Sequence, residues 1–147
     1  MRIAIGADHV AYEFKEKIKE YIRDKGYQWT DFGAHSKERV DYTDYGFTVG
    51  EAVASGEYER GIVCCGTGVG ISIAANKVKG IRCVVCSEPY SAKLSREHNN
   101  TNILSMGARV VGIELAKMII DEWLQTSFEG GRHLNRIEQI TTYENNH

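Results

Sequence analysis

The sequence has one proline in 147 residues, and no low-complexity stretch, internal repeat or linker divides it. A single domain over residues 1–147 is the expectation. No apolar run approaches the roughly 20 residues needed to cross a bilayer. Neither sign of charge dominates: 18 Lys and Arg stand against 20 Asp and Glu, a formal net charge of -2. That balance argues against a nucleic-acid or membrane partner. The opening MRIAIGADHV is interrupted by Asp8 before it reaches the length of a signal-peptide hydrophobic region, so a cytoplasmic location is expected. There the four cysteines, Cys64, Cys65, Cys83 and Cys86, read as thiols and not as a disulfide framework.

Several ligand signatures are missing at named residues. The dinucleotide fingerprint G-x-G-x-x-G would need its third glycine at Ile71. No Gly-Lys-Ser/Thr is present for a P-loop, and the arginine of a cysteine-phosphatase loop would also fall on Ile71. Cys83 and Cys86 make a CxxC with no second CxxC or HxxxH to complete a zinc site. They lie in an apolar strand, where i and i+3 face opposite sides, so core packing is their expected role and no metal is expected.

What is present is an alternation of strand and helix patterns. RIAIGAD (2–8) reads as a buried strand. Phe14, Ile18, Tyr21 and Ile22 then form the apolar stripe of an amphipathic helix closed by Gly26. YQWTDFG (27–33) reads as a second strand, and a helix over roughly 45–55 follows a polar stretch carrying Tyr42. RGIVCCG (60–66) is a third strand, leading through glycines into a helix over roughly 69–78. IRCVVC (81–86) is a fourth strand, EPYSAKLSREH (88–98) a helix with Pro89 in its first turn, and NILSMGA (102–108) a fifth strand. GIELAKMIIDEWL (112–124) is a strong helix, and RHLNRIEQI (132–140) a last short one. Such βα units imply an α/β fold with a mostly parallel sheet covered on both faces. Ligands in such sheets bind beyond the carboxyl ends of the strands. This selects Asp8, His9, the 65–70 loop, the 86–88 region and Met106–Arg109.

Within that set, Gly66, Gly68 and Gly70 open a helix, so backbone N–H groups of the loop from Gly66 through Thr67 and Val69 to Gly70 can converge on a negative oxygen, the alternative being that the glycines only allow a tight strand-to-helix turn. Strand alternation separates the adjacent thiols. Cys64 points into strand–helix packing, whereas Cys65 ends the strand where the positive end of the next helix raises a thiol's reactivity. His9 and His98 are placed on the same edge as proton-transfer or anion-binding groups, with a plain helix-capping role as the alternative for His98. Arg132 and Arg136, four apart on a helix, share one face and make a fork for a phosphate or else an ordinary solvated face. Arg109 can join the same anion site.

IGADHVAYEFKE, the Tyr42 loop, CGTGVG, SREHNN at 95–100, GAR at 107–109 and the Arg132/Arg136 pair together resemble the B-type ribose-5-phosphate isomerases, a family that includes galactose-6-phosphate isomerase subunits. The resemblance covers almost the whole chain with the motifs in order. It implies a Rossmann-like three-layer αβα sandwich with five strands, and a homodimer or dimer of dimers to which the C-terminal helix contributes. It also implies aldose–ketose isomerisation in the pentose phosphate pathway, with no metal or organic cofactor. By resemblance Cys65 is the base moving a proton between C1 and C2, and His98 opens the furanose ring with Asp8 and Tyr42 nearby. Asn99 and the Gly66–Gly70 loop hold the sugar and its enediolate, and Thr67 passes a proton between the enediol oxygens. His9, Arg109, Arg132 and Arg136 contact the phosphate, the last two from a neighbouring subunit. The competing readings are a phosphate- or nucleotide-binding module with an incidental thiol, and a redox or metal protein using Cys83 and Cys86. Allose, allose 6-phosphate and galactose 6-phosphate remain as alternative substrates.

Overall fold

A computed structural model of the chain describes residues 1–147. Five strands form one sheet: β1 (Arg2–Ala7), β2 (Gln28–Asp31), β3 (Arg60–Cys65), β4 (Cys83–Val85) and β5 (Ile103–Gly107). Their order is β2-β1-β3-β5-β4 and every neighbouring pair is parallel. Six helices complete the chain: α1 (Tyr12–Asp24), α2 (Tyr42–Ala54), α3 (Val69–Asn76), α4 (Pro89–Asn99), α5 (Ile113–Gln125) and α6 (Arg132–Asn145). This is the Rossmann-like α/β sandwich expected, with a sheet that is parallel throughout.

Alternation along the buried strands sorts side chains into two cores. Ile3, Ile5, Ile62, Cys64, Leu104 and Met106 join Ile18, Ile22, Ile119 and Trp123 in a cluster of 18 buried residues under α1, α4 and α5. Ala4, Val63, Cys65 and Ile103 join Val49, Val53, Ile71 and Ala75 in a cluster of 10 under α2 and α3. Burying the larger apolar set on one face seats that helical layer firmly, since each fully buried aliphatic side chain contributes roughly 1.5–3 kcal/mol. The chain leaves β1 toward β2 over the α1 face and returns to β3 over the α2 face. The strand order therefore reverses between β1 and β3, and the crevice beyond their carboxyl ends is where such sheets bind ligands.

The end of β1 is held by a charged brace. Lys15 on α1 is fully buried, and its ammonium meets the Asp31 carboxylate at the end of β2 at 2.5 Å, with Lys19 at 2.8 Å. Burial alone would raise the Asp31 carboxyl, but the two ammonium groups and the Gly33 N–H hold it below its ordinary range. The same segment clasps β1, because Ala7 N–H donates to the Gly33 carbonyl and Ala34 N–H to the Ala7 carbonyl. That clasp sets the position of the next residue, Asp8.

Three elements differ from the sequence expectation. The second helix begins at Tyr42, not near residue 45, because Asp41 stands in extended conformation directly before it. The second strand stops at Asp31, whose Oδ1 accepts the Gly33 N–H and turns the chain. The last helix runs on to Asn145, its far end moored where Gly80 N–H donates to Glu144 Oε1 at 2.7 Å. No helix is long and apolar enough to cross a membrane.

Candidate active site

The turn from β3 to α3 is built by close packing on the end of β5. A Cβ on Gly107 would lie 2.5 Å from the Thr67 carbonyl carbon, and one on Gly68 would lie 2.8 Å from the Met106 carbonyl carbon. Gly68 also has φ +80°, a conformation few other residues adopt. These two glycines let the loop cross the strand at backbone distance. Its carbonyls are turned inward: Ala108 N–H donates to Cys65 O, Arg109 N–H to Gly66 O, and the Ser105 hydroxyl to Gly68 O at 2.6 Å. The Cys65 sulfur accepts the Gly68 N–H at 3.2 Å, which fixes it beside the first turn of α3.

The loop opens on a cavity of about 390 Å³ lined by Asp8, Val10, Tyr42, Cys65, Gly66, Thr67, Val69, Gly70 and Arg109. Tyr42 begins α2 and lays its ring against Gly70, where a Cβ would come within 2.6 Å of it. Asp8 is nearly buried, and its Oδ1 accepts the Ala11 N–H at the start of α1. His9 sits beside it, with Nδ1 accepting the Val40 N–H at 3.2 Å, so the ring's remaining proton is on Nε2. Eight residues expected at the site from sequence thus share one cavity, with Gly68 beneath it. Gly107, within the expected Met106–Arg109 stretch, acts through its missing Cβ. Val10 and Ser105 are additions; the Ser105 hydroxyl holds a loop 37 residues away in sequence, which leaves no local signature.

The two adjacent thiols have different surroundings. Cys64 is fully buried, and burial, reinforced by Cys65 beside it, pushes its thiol well above the ordinary value. Cys83 packs against the α2/α3 core and Cys86 belongs to the opposite one, so the CxxC sulfurs lie on different faces. Burial pushes Cys83 up and Cys86 to about 12. Neither thiol is set up for redox or metal chemistry.

A second group lies apart from this cavity. Helix α4 leaves the carboxyl end of β4 and runs back across the sheet, so His98 and Asn99 at its far end precede the start of β5. Residues 61 and 65 of β3 pair with residues 103 and 107 of β5, so the two edges are separated by four strand steps, about 13 Å. The expectation that His98 shares an edge with Asp8 and His9 within one chain is therefore corrected: a helix that returns antiparallel to the strands delivers its C-terminus to the opposite edge. There the His98 ring stacks on His133 of α6, with centroids 4.3 Å apart and planes 14° from parallel. Asn99 borders a groove with Arg82, Thr101, Ile137 and Ile140. Arg132 and Arg136 are exposed on α6, which buries only His133 and Ile137 and leaves Leu134, Ile140 and Tyr143 in solvent.

A cavity at the switch point of a parallel sheet, lined by a thiol, a carboxylate, a tyrosine and an arginine, defines an α/β enzyme acting on a small polar substrate. The chain belongs to the ribose/galactose isomerase family, whose sequence model matches residues 3–140, and its chemistry is that of a sugar-phosphate isomerase. It is 57% identical over 143 residues to ribose-5-phosphate isomerase B of Escherichia coli, covering 97% of this chain and 96% of that one. It is 44% identical to a D-erythrulose-4-phosphate isomerase of Pectobacterium atrosepticum, covering 98% and 95%. Among solved structures, ribose-5-phosphate isomerase B of Clostridium thermocellum superposes with a TM-score of 0.98 at 54% identity, covering 99% of both chains. The reading of the chain as a non-enzymatic phosphate- or nucleotide-binding module falls with this membership.

Proposed function

We propose that this chain interconverts ribose 5-phosphate and ribulose 5-phosphate through a cis-enediolate, with Cys65 as the base. The observation that carries the proposal is the Cys65 sulfur, held by the Gly68 N–H at the first turn of α3 and lining one cavity with Asp8, Thr67 and Arg109. Removing a proton next to a carbonyl develops negative charge on oxygen, and donors fixed in advance stabilise that charge without reorganising. The Cys65 sulfur takes the C2 proton of the open-chain aldose and returns it to C1. The charge on O1 and O2 is met by the loop from Gly66 to Gly70, and the exposed Thr67 hydroxyl transfers a proton between those oxygens. Arg109 and His9 bind the phosphate.

His98, Asn99, Arg132 and Arg136 complete the site from a second copy of the chain. Two facts support this: those residues lie at the opposite sheet edge, and α6 carries uncovered apolar side chains next to them. A two-fold pair, or a dimer of such pairs, gives each cavity one His98 for ring opening and two more guanidiniums for the phosphate. The setting is the cytoplasm and the pentose phosphate pathway. The relatives named for ribose 5-phosphate favour the pentose over hexoses such as allose 6-phosphate, and a kcat/KM panel of ribose, allose and galactose phosphates tests that choice.

The base assignment is tested by Cys65→Ala, which abolishes solvent-deuterium incorporation at the transferred position while ribose 5-phosphate still binds. Retained exchange overturns it. Site sharing is tested by mixing inactive Cys65→Ala and His98→Asn proteins. Random pairing into a two-fold dimer leaves one intact site in half the dimers, restoring roughly a quarter of wild-type activity. No recovery after verified subunit exchange places all the residues in one chain.

A further inference from the structure

Two residues beside His98 have no part in the chemistry above: His133, the second residue of α6, and Glu129 in the loop before it. The geometry points to His133 as a positioning residue for His98, its imidazole forming the platform that fixes the orientation of the ring-opening histidine. The inference rests on the ring-opening reading of His98.

His98 is the penultimate residue of α4, only partly buried, and its ring makes no hydrogen bond within the chain to restrict its two side-chain torsions. A proton-transferring imidazole needs one orientation, and a displacement of about 1 Å costs up to about a hundredfold in rate. The contact that supplies an orientation is the stack on His133, at 4.3 Å and 14°. His133 is itself placed firmly. It is 8% exposed, its backbone N–H donates to the Gly130 carbonyl at 3.1 Å, and its Nε2 lies 3.6 Å from Glu129 Oε2.

The surroundings also set its charge. Burial first, then His98 and Arg132, hold His133 below the ordinary imidazole range, with Arg136 acting in the same direction and Glu129 opposing. A neutral ring presents a π face that accepts the imidazolium His98 becomes when it takes a proton. Two charged rings at that separation would repel. His98, Glu129 and His133 also offer donor atoms within 4.8 Å of one another, of types that bind zinc. Near-parallel rings, however, hold their in-plane lone pairs in two separate planes that do not meet at one point between them, and Arg132 and Arg136 add positive charge. The cluster is built as a stack.

The test separates ring opening from proton transfer. Ribulose 5-phosphate carries its phosphate on O5, so no five-membered ring can close onto C2 and the ketose enters open. Deuterium exchange at its C1 therefore needs Cys65 but no ring opening. His133→Ala is expected to lower kcat for ribose 5-phosphate roughly tenfold or more, with KM and C1 exchange close to wild type. His133→Phe, which keeps an aromatic face, recovers most of that loss, and Glu129→Gln on the exposed loop gives a smaller loss of the same kind. Should His133→Ala not fold, the Phe and Gln variants carry the test: C1 exchange falling as far as turnover makes His133 a structural prop and overturns the role. Turnover unchanged in His133→Ala, or in Glu129→Gln together with an unrescued His133→Phe, also overturns it. If His98→Asn leaves ribose 5-phosphate turnover intact, the ring-opening reading fails instead. Loss in His98→Asn without loss in His133→Ala rejects the platform alone.

Discussion

The cavity at the end of β3 and the cluster where α4 meets α6 are built in opposite ways. The first is made of backbone: loop carbonyls satisfied from within the chain, glycines packed at van der Waals limits, and a thiol anchored by an N–H three residues on. The second is made of side chains on a helix that buries two of its fourteen residues. One region is finished by folding of a single chain. The other leaves Leu134, Ile140 and Tyr143 in water, a surface that the proposed pairing of two copies would cover. On the proposed function, the proton-transfer chemistry sits in the region closed by backbone packing, and the groups proposed to meet the phosphate and the ring sit on the open one.

The comparison can be broken first at the thiols. Cys65→Ala should cost roughly 10²–10⁴ in kcat, the range for loss of a positioned base, whereas Cys64→Ala, in the opposite core, should leave kcat near wild type and lower the melting temperature. Equal kinetic losses would mean that the two sulfurs are not separated by the strand as described. Next in size is Gly107→Ala. The loop must retreat from a methyl group 2.5 Å from the Thr67 carbonyl carbon, so activity should fall steeply while His98–His133 geometry, followed by histidine NMR shifts, stays put. Movement in both regions would show that they are not independent.

A third test removes a support outside both. Asp31→Asn leaves the fully buried Lys15 ammonium without its closest partner, and should destabilise the fold by on the order of 3 kcal/mol. Because the folded-state Asp31 carboxyl titrates below its ordinary 3.8, its contribution is present above that pH and is lost as pH falls through the lower folded value. The gap in melting temperature between wild type and Asp31→Asn should therefore be full at pH 7 and close below about pH 4. A gap that widens on acidification would reverse the assigned shift. The smallest effect belongs to Ser105→Ala. Gly68 O keeps the Ser72 N–H as a partner, so a cost of about 1 kcal/mol and a few-fold fall in kcat are expected.

The cavity was legible in the sequence and the second cluster only partly so, for a physical reason. Cys65, Thr67 and the three glycines are contiguous, and period-two alternation plus a strand-to-helix turn fixes which thiol faces the loop. His98 is local to nothing but its helix. Its edge of the sheet depends on the direction in which α4 returns, so reading a helix end as the ligand edge put it on the wrong side. Its pairing with His133 spans 35 residues of sequence and has no local signature. The last five residues of α6 show no apolar spacing, and the Glu144–Gly80 contact accompanies their helical course. Likewise the βα order gave the sheet, but not its sequence of neighbours, in which β5 lies between β3 and β4.

The inward-turned carbonyls of the β3–α3 loop have one more consequence. With the oxygens of Cys65, Gly66 and Gly68 already accepting hydrogen bonds inside the chain, none of the three needs a water or a ligand as its partner. The loop therefore keeps the same course whether the cavity is empty or filled. A substrate that enters meets a wall already in its final shape, and no reorganisation of that wall is charged against the reaction.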